Sequence, residues 1–434
     1  MALEEQGVPS VAVHTHVFAR LVRATAQANG MPKTRQAFVP QPVVDKSAAE
    51  LRAYVEGVDP VSRRPFMQEV IEGLTGPLDA ADLSGLSFDR STPRLLEPDT
   101  EENLRALFEK NHWTDCLPIV LPTEERVAAM LKGTSHQPDK VVGRMRPTSF
   151  REFWEYTVEK VAVNAVMAGA KPEYFSVILA LASTGETAKC SSTTSMTNLA
   201  VVNGPIREEI GMNCGIGAMG PYSHANATIG RAYQLLSQNL QGGSVPDESY
   251  MGTLGNPFAY SFCFAENEER SPWEPLHVTK GMKASESAVS VFFGGRHMQD
   301  GFGPRETWEE KMRRCLSAPG GNFPPVVILD PIVARLFKDK GVDSKRKLID
   351  WCAQNARLPA REYWDDQWVQ TLLLPLAHAG VEPYAARLKA KPDDIVSMFE
   401  AKDINVVVVG GETQGAWKIL GARHQATVSV DAWR

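Results

Sequence analysis

Three apolar, β-branched runs of this chain are each followed by a polar turn and then by further apolar sequence. The first is Leu199-Ala-Val-Val followed by Asn-Gly-Pro-Ile, and the second is Pro325-Val-Val-Ile-Leu followed by Asp-Pro-Ile. Proline suits the first turn of a helix because its missing N–H is not needed there. The third, Asn405-Val-Val-Val-Val followed by Gly-Gly-Glu-Thr, has the same form without the proline. Three such strand–turn–helix units predict a doubly wound α/β region, built either from two similar halves or from units that are alike by chance.

The first 75 residues predict a strand–helix–strand unit whose beginning is missing. We expect a strand at 11–15, a helix over 18–28 and a second strand at 36–39, followed by a proline-rich turn and two helices. Residues 2–6 have the pattern of the last turn of a helix, with no cap and no strand before it. The incomplete domain would have an open strand edge, and such edges recruit another strand. We therefore expect a second polypeptide to complete it, with a truncated gene start as the alternative.

A length of 434 residues favours two or three domains. Local composition indicates where the boundaries between them fall. Residues 76–98 are rich in Pro, Gly, Ser and Asp and predict a linker. An α/β region with the candidate ligand loops is expected at 99–280 and a second α/β half at 281–434. Asp99-Thr-Glu-Glu has the spacing of a capping box, and Thr123 with two following acids is a weaker helix start.

Charge and cysteine usage exclude several classes of protein. The formal net charge of −6 argues against a general binder of nucleic acid or anionic membranes, which needs a concentrated basic face. No run of eighteen apolar residues and no secretory signal is present, so we expect a soluble, cytoplasmic protein. The six cysteines include no CxxC or CxH pair, which predicts neither a zinc site nor a dithiol and fits mostly buried thiols.

The turns after two of the apolar runs are candidate substrate-binding loops. Asn203 and Gly204 tolerate left-handed backbone and expose their amides, and the helix expected from Pro205 would add an N-terminal dipole that suits a carboxylate or phosphate. The loop after the third run is similar and consists of Gly410, Gly411, Glu412 and Thr413. An ordinary tight turn remains the alternative interpretation of each.

A third candidate is the glycine-rich stretch 215–231, which leads from a loop into a helix. It carries four possible ligand-binding side chains, which are His224, Asn226, Thr228 and Arg231. Together they could clamp an anion, with His224 as the acid or base near neutral pH. The stretch lacks the Lys-Ser/Thr ending of a P-loop, so a nucleotide site is not predicted.

Glu266 and Cys190 are candidates for catalysis. Glu266 follows the apolar run 260–265 and is expected at the end of a buried strand, where a carboxylate can act as a general base. The acidic turn behind it lacks paired histidines, so no metal is assigned, and no particular cofactor is indicated. Cys190 lies beside Lys189, which would favour a nucleophilic thiolate. The alternative for Cys190 is an incidental surface cysteine.

Two N-terminal stretches, Ala2-Leu-Glu-Glu-Gln-Gly-Val-Pro-Ser-Val-Ala-Val-His-Thr and Gln36-Ala-Phe-Val-Pro-Gln-Pro, resemble the tail of the UGSC (seleno)protein family. They are more distantly similar to the tail of the glycine reductase selenoprotein B component. Later blocks also resemble proteins with the UGSC name, at 157–174, 202–206, 225–232 and 266–276. In that family the tail follows a loop with the motif U/C-Gly-Ser-Cys. The motif is absent here, and the family's Pro-His-Pro turn is Pro40-Gln41-Pro42. The resemblance implies thiol or selenol redox chemistry at a loop that a partner chain would supply.

Three functions fit these observations. The favoured one is a subunit of a thiol- or selenol-dependent enzyme that makes or breaks a carbon–heteroatom bond in a small polar or anionic substrate. A partner chain would supply the reactive cysteine and this chain the anion-binding loops. The second is a self-sufficient hydrolase or lyase, with His224 and Glu266 as acid–base groups and Cys190 as a possible nucleophile. The third is a non-catalytic scaffold subunit.

Overall fold

The computed structural model describes residues 8–28, 34–43, 46–77, 94–144, 155–189, 194–242, 250, 252–301 and 308–434. Helices and strands are both distributed along these residues, and the largest sheet has six strands. The predicted α/β class is therefore confirmed. Residues 78–93, which make up most of the predicted linker, lie outside the described residues.

The N-terminal unit has the predicted order of strand, helix, strand and two helices. Its elements are β1 (Ala12–Thr15), α1 (Ala19–Ala28), β2 (Gln36–Val39), α2 (Ala48–Glu56) and α3 (Phe66–Thr75). β1 and β2 are parallel, and within the described ranges β1 pairs with β2 alone. The apolar core is small, with Ala37, Val39 and Phe66 buried. A two-stranded sheet on so small a core is marginal by itself.

A helical layer follows. Its elements are α4 (Glu101–Lys110), α5 (Glu124–Leu131), β3 (Val141–Arg144), β4 (Glu155–Thr157), α6 (Val158–Met167) and α7 (Phe175–Ser183). Thr123 caps α5 as predicted, accepting from the Arg126 amide. The cap of α4 is Thr100, one residue later than predicted, because the Asp99 carboxylate accepts from the Asn103 side chain at 2.8 Å instead.

The rest of the chain builds one six-stranded mixed sheet and the helices on it. The elements as far as residue 301 are β5 (Thr197–Asn203), α8 (Ile206–Glu209), α9 (His224–Asn239), β6 (Cys263–Ala265), α10 (Leu276–Thr279) and β7 (Ala288–Gly301). Those beyond it are α11 (Trp308–Ser317), β8 (Pro325–Leu329), α12 (Pro331–Asp339), α13 (Lys345–Asn355), β9 (Arg357–Pro359), α14 (Ala360–Asp365), α15 (Leu374–His378), α16 (Tyr384–Leu388), β10 (Ile395–Ser397), β11 (Asn405–Val408) and β12 (Ala416–Ser429).

The strand order is β11-β8-β12-β7-β5-β6, and the arrangement of strands is the same when counted inward from either edge of the sheet. Each half has a first strand (β5 or β8), a parallel partner at the sheet edge (β6 or β11) and a long antiparallel strand at the centre (β7 or β12). The two halves meet where β7 and β12 pair. The strand arrangement of β5 to β7 thus recurs in β8, β11 and β12, and the predicted domain boundary at 280 stays a prediction.

One of the three predicted strand–turn–helix units is wrong. After the Asn405 run the chain turns back into β12, a strand of 14 residues, rather than into a helix. Trp417 and Ile419 contact one face of the sheet while Leu420 contacts the other, which is the period of two that a strand requires. The other two runs lead into α8 and α12 as expected, although α8 is a single turn.

The two faces of the sheet differ. One face packs under the helices, with α6, α7 and α9 over the first half and α11 to α13 over the second. The other face carries a continuous apolar cluster that runs across both halves and includes Val201, Phe264, Phe292, Ile328 and Val407. The Asn267 amide, just after β6, donates to the Val408 carbonyl of β11 at 2.8 Å. The two edges of the sheet, β6 and β11, therefore meet, and the second face of the sheet is enclosed.

Candidate functional site

A cavity of about 370 Å³ opens at one end of this interior. Its walls are the glycine-rich turn Gly217–Gly220, the ends of β8, β11 and β12, and Gln299 of β7. Apolar side chains such as Met219, Ile328 and Val409 line it, together with the ionisable side chains of Asp330 and Lys418. A concave, mostly apolar site with a few polar groups is the usual form of a small-molecule pocket.

The cavity brings together two of the loops predicted from sequence. The Gly410 amide donates to the Cys214 carbonyl at 2.8 Å, and Gly411 lies so close to Ile216 that a Cβ atom there would approach its Cγ1 to 2.2 Å. A larger residue at 411 would require the exposed Ile216 side chain to shift. In the described residues the N–H groups of Gly217 and Met219 make no hydrogen bond, so they are available to an anionic ligand.

Asn226 positions the glycine-rich loop rather than a ligand. Its Nδ2 donates to the carbonyls of Asn213 at 2.7 Å and Ala218 at 3.0 Å, and its Oδ1 accepts from the Asn213 amide at 3.1 Å. All three bonds cross from α9 to the loop. The side chain is buried, with 2% exposed, so its predicted substrate contact becomes a supporting one.

Asp330 caps α12 at the end of β8. Its Oδ1 accepts from the Val333 amide at 2.8 Å and its Oδ2 from the Ala416 amide. Burial raises the pKa of this carboxyl above its ordinary range, against the opposing effect of those amides.

Lys418 lies on β12 opposite both Ile328 and Gln299. No hydrogen bond or ion pair reaches its amine from the described part of the chain, and burial lowers its pKa. An acid with a raised pKa and an amine with a lowered pKa, facing one cavity, are typical of a functional site.

The equivalent positions in the other half carry neutral side chains. Ser290 of β7 lies opposite Val201 and Thr427, just as Lys418 lies opposite Ile328 and Gln299. The Ser290 and Thr427 hydroxyls are bonded to each other at 2.8 Å, and His424 Nε2 lies 2.8 Å from the Thr427 hydroxyl. The counterpart of Asp330 is Asn203, which is fully buried. Among the described residues, the cavity with two ionisable side chains thus lies in the second half of the sheet.

The turn at Asn203 and Gly204 binds a carboxylate, but one from the chain itself. The Gly204 amide donates to Glu268 Oε1 at 2.8 Å and the Asn203 side chain to the same oxygen at 2.9 Å. Arg207 closes the turn with its Nε 3.1 Å from Glu268 Oε1. The amides that were predicted to bind an anionic ligand therefore bind the Glu268 carboxylate of the same chain.

Glu266 is fully buried at the end of β6 and forms an ion pair with Lys345 at 2.7 Å. Its Oε2 also accepts from the Asn203 side chain at 2.7 Å and the Leu276 amide at 2.6 Å. The sequence correctly placed Glu266 after a buried strand. With both oxygens bonded and no solvent contact, however, it serves to join β5, α10 and α13.

The structure does not bring His224 and Glu266 together. His224 is the exposed first residue of α9, and its ring contacts Tyr174. Thr228 donates back to the His224 carbonyl at 2.7 Å. Arg231 forms a two-pronged ion pair with Asp115, at 2.9 and 2.8 Å. Thr228 and Arg231 are thus engaged within the fold, and the anion clamp stays a prediction.

Of the loop 410–413, Gly410 lines the cavity and Glu412 forms ion pairs with Arg335 and Arg270. The hydrogen bond from Arg335 lowers the pKa of Glu412. Thr413 is exposed in the same loop. Glu412 therefore fixes the loop to α12 from outside.

Cys190 lies outside the described residues. Its neighbour Lys189 is buried, and its Nζ is 3.5 Å from the Gln238 side chain. Burial lowers the pKa of Lys189 to about 8. Burial also raises the pKa of the Cys214, Cys315 and Cys263 thiols, in the last case to about 12. Those three cysteines are therefore not activated nucleophiles.

Among the described residues no group of three or more His, Cys, Asp and Glu side chains could hold a metal ion. None of the helices described is both long enough and apolar enough to cross a membrane.

Comparison with known families gives a match for the N-terminal part. The model of the UGSC family matches residues 1–67. These residues are called the UGSC segment below. In the structure the UGSC segment covers β1 to β2, α2 and the start of α3. Comparison with curated proteins gives no match.

Sequence reasoning missed Asp330, Lys418 and Gln299. Asp330 was visible as the polar residue of a strand-to-proline turn, which is the same signal that selected Asn203. Lys418 and Gln299 had no such signal, because their place on two paired central strands depends on the register between β7 and β12.

Proposed function

We propose that this chain is the substrate-binding subunit of an enzyme that makes or breaks a carbon–heteroatom bond in a small polar or anionic substrate. The cavity with Lys418 and Asp330 carries the proposal. Lys418 supplies a positive charge or a free amine, and Asp330 supplies a carboxyl group that can take part in proton transfer. The free amides of the 217–220 turn favour a carboxylate or phosphate.

The contrast between the two halves supports this assignment. The counterparts of Asp330 and Lys418 are Asn203 and Ser290, whose side chains are uncharged and bonded to Glu268 and Thr427. Lys418 is half-buried and has no partner in the described residues, although desolvating a charged group has a cost. A bound anion would supply that partner.

The match of residues 1–67 to the UGSC family is the reason that we include a thiol or selenol in the proposal. Residues 1–67 contain no cysteine, and the cysteines at 214, 263 and 315 have raised pKa values. The Ala12 amide donates to the Arg35 carbonyl, so the Val13 N–H points to the other edge of β1. Val13 is 53% exposed there. We infer that a strand from a partner polypeptide, which also carries the reactive thiol or selenol, pairs with this edge.

A self-sufficient hydrolase or lyase is the second candidate. It is favoured by one observation, namely that the cavity already contains its own acid and its own amine. In this candidate function Asp330 and Lys418 take the acid–base roles that the sequence assigned to His224 and Glu266. No partner chain is needed.

Substrate binding is tested by calorimetry with glycolate, pyruvate, malate and inorganic phosphate. We expect at least one to bind saturably, and Lys418→Met to weaken it roughly tenfold or more, because a hydrogen bond to a charged group contributes about 1.5–3 kcal/mol. The matched control is Lys280→Met, a lysine outside the cavity whose pKa burial also lowers. No binding, or equal loss in both variants, contradicts the proposal and leaves a scaffold role.

The partner is tested with two variants at one position. Val13→Pro removes the free edge N–H, while Val13→Ala keeps it. We expect a cysteine- or selenocysteine-containing polypeptide to copurify with the wild type and Val13→Ala and to be lost from Val13→Pro. Full turnover by the chain alone would support the self-sufficient enzyme instead.

A further inference from the structure

We propose that Lys418 forms an imine with the carbonyl group of a small keto or aldehyde substrate in the cavity. This inference rests on the proposed function of that cavity and adds the substrate class. A lysine nucleophile must be held in a recess, free of partners and near an acid. Lys418 lines the cavity with Ile328, Val409 and Met219, which are apolar walls.

The Lys418 amine is free to react. In the described ranges it makes no hydrogen bond and no ion pair. Asp330, which lines the same cavity, uses its oxygens for the Val333 and Ala416 amides. The partial burial that lowers the pKa of Lys418 increases the neutral, nucleophilic fraction of the amine.

The other lysines with lowered pKa values lack this setting. Lys189 has Gln238 beside its amine, and Lys280 is influenced by Asp403. Neither lines the cavity. Lys418 therefore combines a free amine, a recess and a nearby acid.

The step balances without any further reagent. The Lys418 nitrogen lone pair adds to the carbonyl carbon, and a C–N bond forms as the C=O π bond opens to an alkoxide. A proton passes from the nitrogen to this oxygen and gives a hydroxyl. The hydroxyl takes a second proton, relayed from solvent by the Asp330 carboxyl group, and leaves as water. The nitrogen retains one proton as the iminium, and hydrolysis returns carbonyl, amine and acid. A carboxylate beside the carbonyl would bind the free amides of Gly217 and Met219.

Reductive trapping tests the inference. The purified chain is incubated with pyruvate and sodium cyanoborohydride, digested and mapped by mass spectrometry. We expect one reduced pyruvate adduct, on Lys418, with Lys280 and Lys189 as internal controls in the same digest. Lys418→Arg should keep the positive charge but lose the adduct. Asp330→Asn should slow trapping severalfold.

The outcomes separate this inference from the proposed function. Pyruvate binding that depends on Lys418 but gives no adduct there overturns the imine and leaves the proposed function standing. Adducts spread evenly over surface lysines also overturn it. If neither pyruvate nor any other tested anion binds, both fail together.

Discussion

The ion pair between Glu266 and Lys345 is sealed from solvent, with 0% and 1% of the two side chains exposed. Lys345→Met would leave the carboxylate buried without its counter-charge. We expect a loss of about 3–5 kcal/mol in the free energy of unfolding, measured by urea titration with circular dichroism. The control is Lys347→Met, whose pair with Asp343 is exposed and should contribute under about 1 kcal/mol. Equal losses in the two variants would refute the structural role of Glu266.

His424 should make stability depend on pH. Burial, with the nearby charge of Lys280, lowers its pKa from 6.5 to about 4. The unfolded chain therefore binds a proton between these values while the folded chain does not, so stability falls as the pH drops from 6.5 to about 4. We expect a loss of about 1–2 kcal/mol, reduced from the full shift because the ring is partly exposed.

His424→Gln should remove this part of the pH dependence while leaving stability at pH 8 nearly unchanged. Urea unfolding at closely spaced pH values makes the comparison. An unchanged slope in the variant would contradict the burial of a neutral His424.

At the scale of single elements, the turn between β5 and α8 depends on Gly204. Its φ is +83°, and a Cβ atom would lie 2.2 Å from the Glu286 carbonyl oxygen. Gly204→Ala should therefore cost more than about 3 kcal/mol of stability. Gly211 also has a positive φ, of +64°, but nothing lies within 4 Å of its Cβ position. Gly211→Ala should cost only about 1 kcal/mol, and a similar cost at both sites would show that the close contact is absent.

The helices and strands of the N-terminal part were largely predictable, because the patterns that specify each one lie within its own segment of sequence. β1, α1 and β2 follow from apolar periodicity, and α5 from the cap at Thr123. β12 was missed because its first residues follow a glycine turn like those that precede helices. What makes it a strand is pairing with β7 and β8, residues more than a hundred positions away along the chain in the case of β7.

The UGSC segment should be less stable than the central sheet. In its described residues the buried apolar cluster consists of Ala37, Val39 and Phe66, whereas β7 and β12 pair along most of their 14 residues. Backbone amides at 36–39 should exchange hydrogen at least roughly a hundredfold faster than those at 289–292. Mass spectrometry of exchanged peptides measures this, and equal protection would mean that the segment is already completed by further contacts.

At the scale of the molecule, the candidate site is a product of the sheet closing on itself. The sequence predicted ligand-binding loops at 215–231 and 410–413 without showing that they meet. It selected Asn203 and not Asp330, although both end the first strand of a half. The turn at Asn203 is filled by Glu268, whereas the turn at Asp330 is open to the cavity. This difference depends on packing across the whole sheet, so no local sequence pattern predicts it.

The central claim is that the cavity with Lys418 and Asp330 is where this protein holds its substrate. A crystal structure with the tightest-binding of the tested anions measures this most directly. The account predicts density for the anion within hydrogen-bond distance of Lys418 Nζ and the Gly217–Gly220 turn. Density at the His424 and Asn203 end instead, with the Lys418 cavity empty at saturating ligand, would contradict it.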